Sequence, residues 1–354
     1  MAFTTDAALL GAAGAGGGSG GGGVITDIAV GTSGSPYLSV YPFTSGVGFG
    51  AKYTSPTIPG PVYSIAFSPT DIIIPHSFSP FVAAYPFTSG VGFGVKYSNP
   101  VGFTAINQCK DACFDNTYST VFLTHQGAPG LTAYPFTSGV GFGTKYSAPS
   151  PINGNGNYVS YSPVSDDVAV STGTYLYFYS YRFTPGVGFG ASYSLPPLFP
   201  SSNAEGITYS LMEDTSVVMF VTTTYSNRFY AYPFTSGVGY GSNYANTPSI
   251  TGDGRDVSAT STDVAVAYGT SPYINVYPFT VAGGFGTKYA NISPGLPDYP
   301  LTVHLTNTDL AIGHRGSPYV SVYRFTPGVG VGAKYTNPAV LPPANEGYVR
   351  FRIA

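Results

Sequence analysis

Residues 41–53 read YPFTSGVGFGAKY, and this phrase decides the fold because it returns. Residues 85–97 read YPFTSGVGFGVKY and residues 134–146 read YPFTSGVGFGTKY. Variants follow at 181–193 (YRFTPGVGFGASY), 232–244 (YPFTSGVGYGSNY), 277–289 (YPFTVAGGFGTKY) and 323–335 (YRFTPGVGVGAKY). The seven starts lie 44 to 51 residues apart. A period of that length, with strand-like alternation and no helical spacing, marks a propeller in which each repeat is one blade. The expectation is an all-β chain, a seven-bladed β-propeller with four-stranded blades.

The sixth repeat shows the division. Residues 256–260 form a short first strand, 263–267 an apolar second and 273–277 an alternating third, with 285–289 after the glycine turn as the fourth. A blade packs both faces on its neighbours, so its inner strands must be apolar or small on both sides. The segments DVAVA, DIAVG (27–31) and DLAIG (309–313) fit. The first repeat begins at a second strand, and the chain finishes on GYVRFRI (347–353), a first strand with no second behind it. The surplus strand at the end matches the strand missing at the start, so the C-terminal strand is expected in the first blade, closing the ring. Arg350 and Arg352 then need the axial channel or an acid partner. Residues 24–354 are read as the propeller. Residues 1–23, mostly small residues and glycine, are read as a flexible arm, with Phe3, Leu9 and Leu10 as its anchors in an assembly.

Composition narrows the function. Of 354 residues only 8 % are charged, 13 basic against 16 acidic, so nothing offers the basic footprint of a nucleic-acid binder. No run of 18 apolar residues is present to insert in a membrane as a helix. The GVGFG phrases precede strands rather than helices, so they read as hairpin turns and not phosphate loops. Lys52, Lys96, Lys145, Lys288 and Lys334 share a column on the fourth strand and read as guards of an exposed edge. Asp27, Asp71, Asp167, Asp263 and Asp309 share another at the turn into the second strand and read as turn caps to the backbone. His76, His125 and His314 fall in one column, each expected to bond the following loop, and His304 stands alone on a first strand. Cys109 and Cys113 are too far apart along a strand to bridge and read as free thiols. No catalytic constellation, cofactor motif or metal set is apparent, and the acids fall mostly in the turn column. The expectation is a non-enzymatic chain with no cofactor.

One face of the ring carries the nearly identical hairpins. The other carries the variable loops at 31–36, 77–80, 126–130, 222–227, 269–272 and 315–318, and the linkers at 195–205 and 291–298. Recognition usually sits on loops that vary over a fixed scaffold. The candidate ligand-binding residues are Tyr37, Phe81, Tyr175, Tyr225, Tyr273 and Tyr319, at the starts of third strands.

The blade plan, and the segment YSIAFSPTD (63–71) with its FSP turn, resemble the WD-like and YVTN-like propeller families. SPYINVYPF (271–279) with FGTKYAN (285–291) is similar to repeats of uncharacterised tailed-bacteriophage proteins, and LLGAA (9–13) before poly-Gly resembles the opening of phage virion proteins. These resemblances imply a virion structural or adsorption protein, in the capsid, its decoration or a tail fibre. Its partners would be other virion proteins, copies of itself, or a host-surface glycan or protein. The alternative is a lectin-like propeller outside or on the surface of a bacterial cell.

Overall fold

The computed structural model describes residues 23–103, 108–150, 152, 154–173, 177–198, 202–224, 229–250, 252–343 and 346–353. The expected arm, with Phe3, Leu9 and Leu10, lies outside these residues, as do Tyr175 and Tyr225. Seven four-stranded antiparallel sheets stand in a ring, the seven-bladed propeller that the repeats imply. Blades are numbered here from the one containing Leu38–Thr44. In blade 1 the C-terminal strand Tyr348–Ile353 pairs with Ile25–Gly31, matching Phe351 to Ile28 and Val349 to Val30. The ring therefore closes with strands from both ends of the chain. The closure is apolar: Ile28, Val30, Phe43, Val349 and Phe351 form one core with Ala311, Val320 and Val322 of blade 7. Arg352 meets an acid there, Asp27, at 3.2 Å with both side chains buried.

The fourth strands depart from expectation. In blades 1, 2, 3, 5 and 6 they shrink to two residues, such as Gly48–Phe49 and Gly284–Phe285. In blades 4 and 7 they run five residues, Gly188–Ser192 and Gly330–Lys334. The third strand explains the split. The five short cases face YPF, whose proline has no N–H to donate to the ladder; the two long ones face YRF, with Arg182 or Arg324 in its place. Lys52, Lys96, Lys145 and Lys288 consequently lie beyond the end of their fourth strands, and only Lys334 lies on one. Lys96, Lys145 and Lys288 bond Asn99, the Gly102 carbonyl and Asn291 at 2.8–2.9 Å.

The aspartate column, expected to cap turns to the backbone, instead accepts from side chains: Asp71 from Ser68 and Thr70, Asp263 from Thr262 and Asp309 from Thr308. Tyr335 of blade 7 donates its hydroxyl to Asp309 (2.6 Å) and accepts the Gly46 N–H of the blade 1 hairpin (2.8 Å). The same Asp–Tyr–Gly relay joins Asp27, Tyr53 and Gly90; Asp71, Tyr97 and Gly139; Asp167, Tyr193 and Gly237; and Asp263, Tyr289 and Gly328. Each relay ties one blade's second strand, and the segment that follows its fourth strand, to the next blade's hairpin. Gly48, at φ 110°, lies so close to the Tyr335 ring that an added Cβ would sit 3.3 Å from it. The glycines of the hairpin are thus required both by the turn and by the seam. Blade 3 has Thr120 in place of the aspartate, and there Tyr146 still accepts the Gly186 N–H.

Candidate functional site: the mouth of the axial channel

Each first strand is the inner edge of its blade, and its outward N–H groups lack a ladder partner. Side chains of the preceding blade supply one. Asp111 accepts the Val159 N–H, Asp256 the Val303 N–H and Thr302 the Val349 N–H, at 2.8–2.9 Å. One layer deeper, Ser160, Ser258 and His304 accept from Tyr209, Leu305 and Phe351 at 2.9–3.0 Å. His304 accepts through Nδ1, so its ring is neutral; burial, aided by Arg350, holds it well below the ordinary imidazole range.

The same inner strands begin on the variable-loop face, and there they frame a cavity of about 300 Å³. Its wall includes Lys110, Glu205, Arg255, Arg315 and Glu346 with Tyr63, Asn157, Tyr158 and Tyr348. Beneath it lies a smaller chamber of about 50 Å³ that shares Tyr63, Tyr158 and Tyr348 and adds Asp111, Asp256 and Arg350. The three tyrosines form a collar between the two levels, with Tyr63 and Tyr348 edge to face at 5.8 Å. Four of the chain's 13 basic residues and four of its 16 acidic ones therefore line one axial volume.

The cations are held with donors to spare. Arg315 pairs with Glu346 at 2.8 Å, whereas Arg255 and Asp253 stand 3.8 Å apart. The guanidinium groups of Arg315 and Arg255 both approach the Tyr299 ring, at 4.6 and 5.5 Å, and Lys110 lies 5.2 Å over Tyr63. The buried Nε of Arg255 and that of Arg350 have no hydrogen-bond partner among the described residues. Burial raises the Glu205 carboxyl against the pull of Arg255 and Lys110, and lowers Lys110 against Glu205 and Glu346. In the chamber burial pushes Asp256 up to about 7 and raises Asp111. Arg350 lines the same chamber, so it reaches the channel as the strand reading requires. Together these groups can bind an anion, meet hydroxyls with paired donors and acceptors, and exchange a proton near neutrality.

The residues singled out from the sequence lie elsewhere. Tyr37, Phe81, Tyr273 and Tyr319 each close a loop between second and third strands, at φ 66–72°. Their N–H groups bond Gly34, Phe78, Thr270 and Gly316 carbonyls at 2.6–2.8 Å. They sit one per blade on the variable-loop face; Tyr37 and Phe81 pack against seam cores, and none of the four lines the axial cavity. His125 and His314 bond Thr132 and Ser321 across the strand pair at 2.8 and 2.9 Å, and His125 also meets the Gln126 carbonyl of its following loop at 3.3 Å, as expected of that column. His76 has Ala83 at the corresponding position, and both its ring nitrogens are unpartnered among the described residues. Cys109 and Cys113 are free and buried on one strand. Among the described residues no three His, Cys, Asp or Glu cluster as a metal site.

Lys110, Glu205 and Arg255 were legible in one respect: they take corresponding positions at the starts of first strands and differ in every blade. The placing of the acids needs correction, because Asp111, Glu205, Asp256 and Glu346 line the axis rather than the turns.

No family model matches the sequence, and no curated protein does. Solved structures match throughout the ring. A protein from Lactobacillus plantarum superposes with a TM-score of 0.71 at 12 % identity, covering 93 % of this chain and 99 % of its own. The periplasmic gluconolactonase of Pseudomonas aeruginosa gives 0.69 at 13 % identity, with coverage of 93 % and 99 %. A putative 6-phosphogluconolactonase from Bacteroides fragilis gives 0.67 at 10 %, with 93 % and 98 %. The WD40 propeller domain of Doa1 is also similar, at 0.53 and 10 % identity over 82 % of this chain and 92 % of that one. Likeness at this identity shows the fold. It also overturns the expectation of a non-enzymatic chain, since proteins named as lactonases are built on the same ring and a missing motif excludes no catalysis.

Proposed function

We propose that this protein is a ligand-binding propeller whose axial mouth receives a small hydroxylated anion of the sugar-acid class, as the adsorption module of a virion or cell surface. The observation that carries the reading is the gathering of Lys110, Arg255 and Arg315 with Glu205 and Glu346 around one cavity in a chain with only 8 % charged residues. Guanidinium pairs receive carboxylate or phosphate, acids and Asn157 receive hydroxyls, and the tyrosine collar offers apolar faces to a sugar ring. The virion setting draws its support from the resemblance of the repeats; the cell surface is the alternative. In a titration calorimetry series, gluconate, 6-phosphogluconate and glucuronate are expected to bind and glucose to bind at least tenfold more weakly. Arg255→Ala with Arg315→Ala is expected to remove that preference. Equal binding of glucose, or no binding by the series, refutes the reading.

A second reading, lactone hydrolysis in the same mouth, is favoured by Asp256 near neutrality across the chamber from Arg350. Asp256 would take a proton from water as the oxygen adds to the lactone carbonyl; the ring C–O bond breaks and its oxygen receives that proton. Acid release from glucono-lactone above the spontaneous rate, lost in Asp256→Asn, is the outcome expected of it.

A further inference from the structure

The seam between blades 5 and 6 is rebuilt. Val218 stands where other blades place the relay aspartate, opposite Pro233 as Asp263 is opposite Pro278. The blade 6 hairpin reads Thr280-Val281-Ala282-Gly283-Gly284, so Ala282 replaces the glycine whose N–H the relay uses. The Tyr244 hydroxyl, left between these changes, is buried with no hydrogen-bond partner among the described residues. Asn246 takes over the seam by bonding the Gly283 and Phe285 carbonyls at 2.9 Å each. Three changes at one seam, with a new tether, describe a second design rather than decay of the first.

The rebuilding opens a cavity of about 190 Å³ on the hairpin face, lined by Met212, Ser261, Phe279, Val281, Ala282 and the acidic pair Glu213 and Asp214. Val281 stands where the other hairpins carry Ser45, Ser89, Ser138, Pro185, Ser236 or Pro327, and it packs against the seam core, while Gly283 takes the place of the hairpin valines Val47, Val91, Val140, Val187, Val238 and Val329, which stand 74–81 % exposed. The floor is apolar and the lip is anionic. Glu213 and Asp214 are exposed and form no ion pair among the described residues. An occupant that suits both must carry an aliphatic stem ending in a cation. Charge complementarity therefore selects lysine, whose four-carbon stem packs along apolar surface while its ammonium stays at the rim.

We propose that the seam between blades 5 and 6 is a docking site for a lysine side chain on an extended segment of a partner protein. The chain supplies its own reporter, because Met212 lines the cavity, Met219 lies in the core of blade 5 and Met1 is the only other methionine. The full chain, labelled with ¹³C at the methionine methyls and assigned with Met212→Leu, is titrated with three peptides: Ac-Gly-Leu-Lys-Leu-Gly-NH2 and its norleucine and glutamate counterparts. The lysine peptide is expected to shift the Met212 methyl saturably and leave Met219 in place. The norleucine peptide should bind at least tenfold more weakly, and the glutamate peptide should leave the signal unmoved. Glu213→Gln with Asp214→Asn, both on the exposed lip, should erase the preference for lysine over norleucine. An unmoved Met212 signal, equal effects of lysine and norleucine, or an unchanged preference in the double variant overturns the proposal. A Met212 shift with protein concentration alone also overturns it, by making a second copy of this chain the occupant.

Discussion

The seams and the axis of this ring are built on opposite rules. At the seams the same residues recur: an aspartate, a tyrosine and a hairpin glycine repeat the relay at five of seven seams. At the axis, at or just before the starts of the first strands, stand Tyr63, Lys110, Asn157, Glu205, Arg255 and Leu301, a different residue in each of six blades. Repetition at the seam is what a ring needs, since each blade must present to the next the surface that it receives from the last. A ligand at the centre breaks that symmetry and needs unlike groups around it. Repeated columns therefore report on stability and unrepeated ones on recognition.

The largest effect that tests this contrast is expected at the closing seam. Removing residues 347–354 takes the inner strand from blade 1 and uncovers Ile28 and Val30, so the cooperative urea transition should be lost. The milder Phe351→Ala, at a site 1 % exposed, should cost about 3–5 kcal/mol in the same measurement. Retention of the full transition by the truncated chain would place the closure elsewhere.

Next come the two kinds of seam. Tyr335→Phe removes the hydroxyl between Asp309 and Gly46 and leaves both without it, so a loss of about 1–3 kcal/mol is expected. Tyr244→Phe removes a hydroxyl that bonds nothing among the described residues, and should change stability by less than about 0.5 kcal/mol. Equal losses would erase the distinction between seams.

The pH dependence sharpens it further. Burial lowers His76 and His314 to about 4, so their neutral forms belong to the folded state. Their contribution is complete above about pH 6.5, the unfolded value, and is lost as pH falls toward 4. The axis has the opposite sign. Asp256 is raised to about 7, so the folded state favours its protonated form, and stability falls as pH rises from about 4 through 7. Asp256→Asn keeps a carbonyl for the Val303 N–H and should gain on the parent protein across that interval. His76→Leu should instead flatten the acid limb of the chemical denaturation profile.

The smallest stability effect is expected at the mouth itself. Arg255→Ala and Arg315→Ala alter side chains on the cavity wall, and each should leave the denaturation midpoint within about 0.5 kcal/mol of the parent. A larger loss from either would make these arginines part of the scaffold.

Much of the ring was legible because the phrase at 41–53 recurs at a strand-bearing period. The closure was legible as well, from an unpaired strand at each end. The fourth strands were misjudged because their length depends on a residue of the third: proline at position 42 or 278, arginine at 182 or 324. The ligand candidates were chosen for aromatic character on variable loops. Tyr37 and its counterparts turned out to occupy left-handed turn positions, while the axial charges were passed over. Of the histidines expected to bond their loops, His125 does so through the Gln126 carbonyl, but His125 and His314 also reach across the sheet, and His76 has no partner there because Ala83 cannot supply one.

By itself the sequence determined the number of blades, their order and the means of closure, because repeat period and apolar patterning are local properties that every blade must satisfy alike. Only the tertiary structure decided where the charges meet. Lys110, Glu205, Arg255, Arg315 and Glu346 are separated by tens of residues, and no spacing relates them. They become neighbours because the blades turn the starts of their first strands, and in blade 7 also the loop after the second strand that carries Arg315, toward a common axis, where low dielectric and close approach give widely separated charges a shared chemistry.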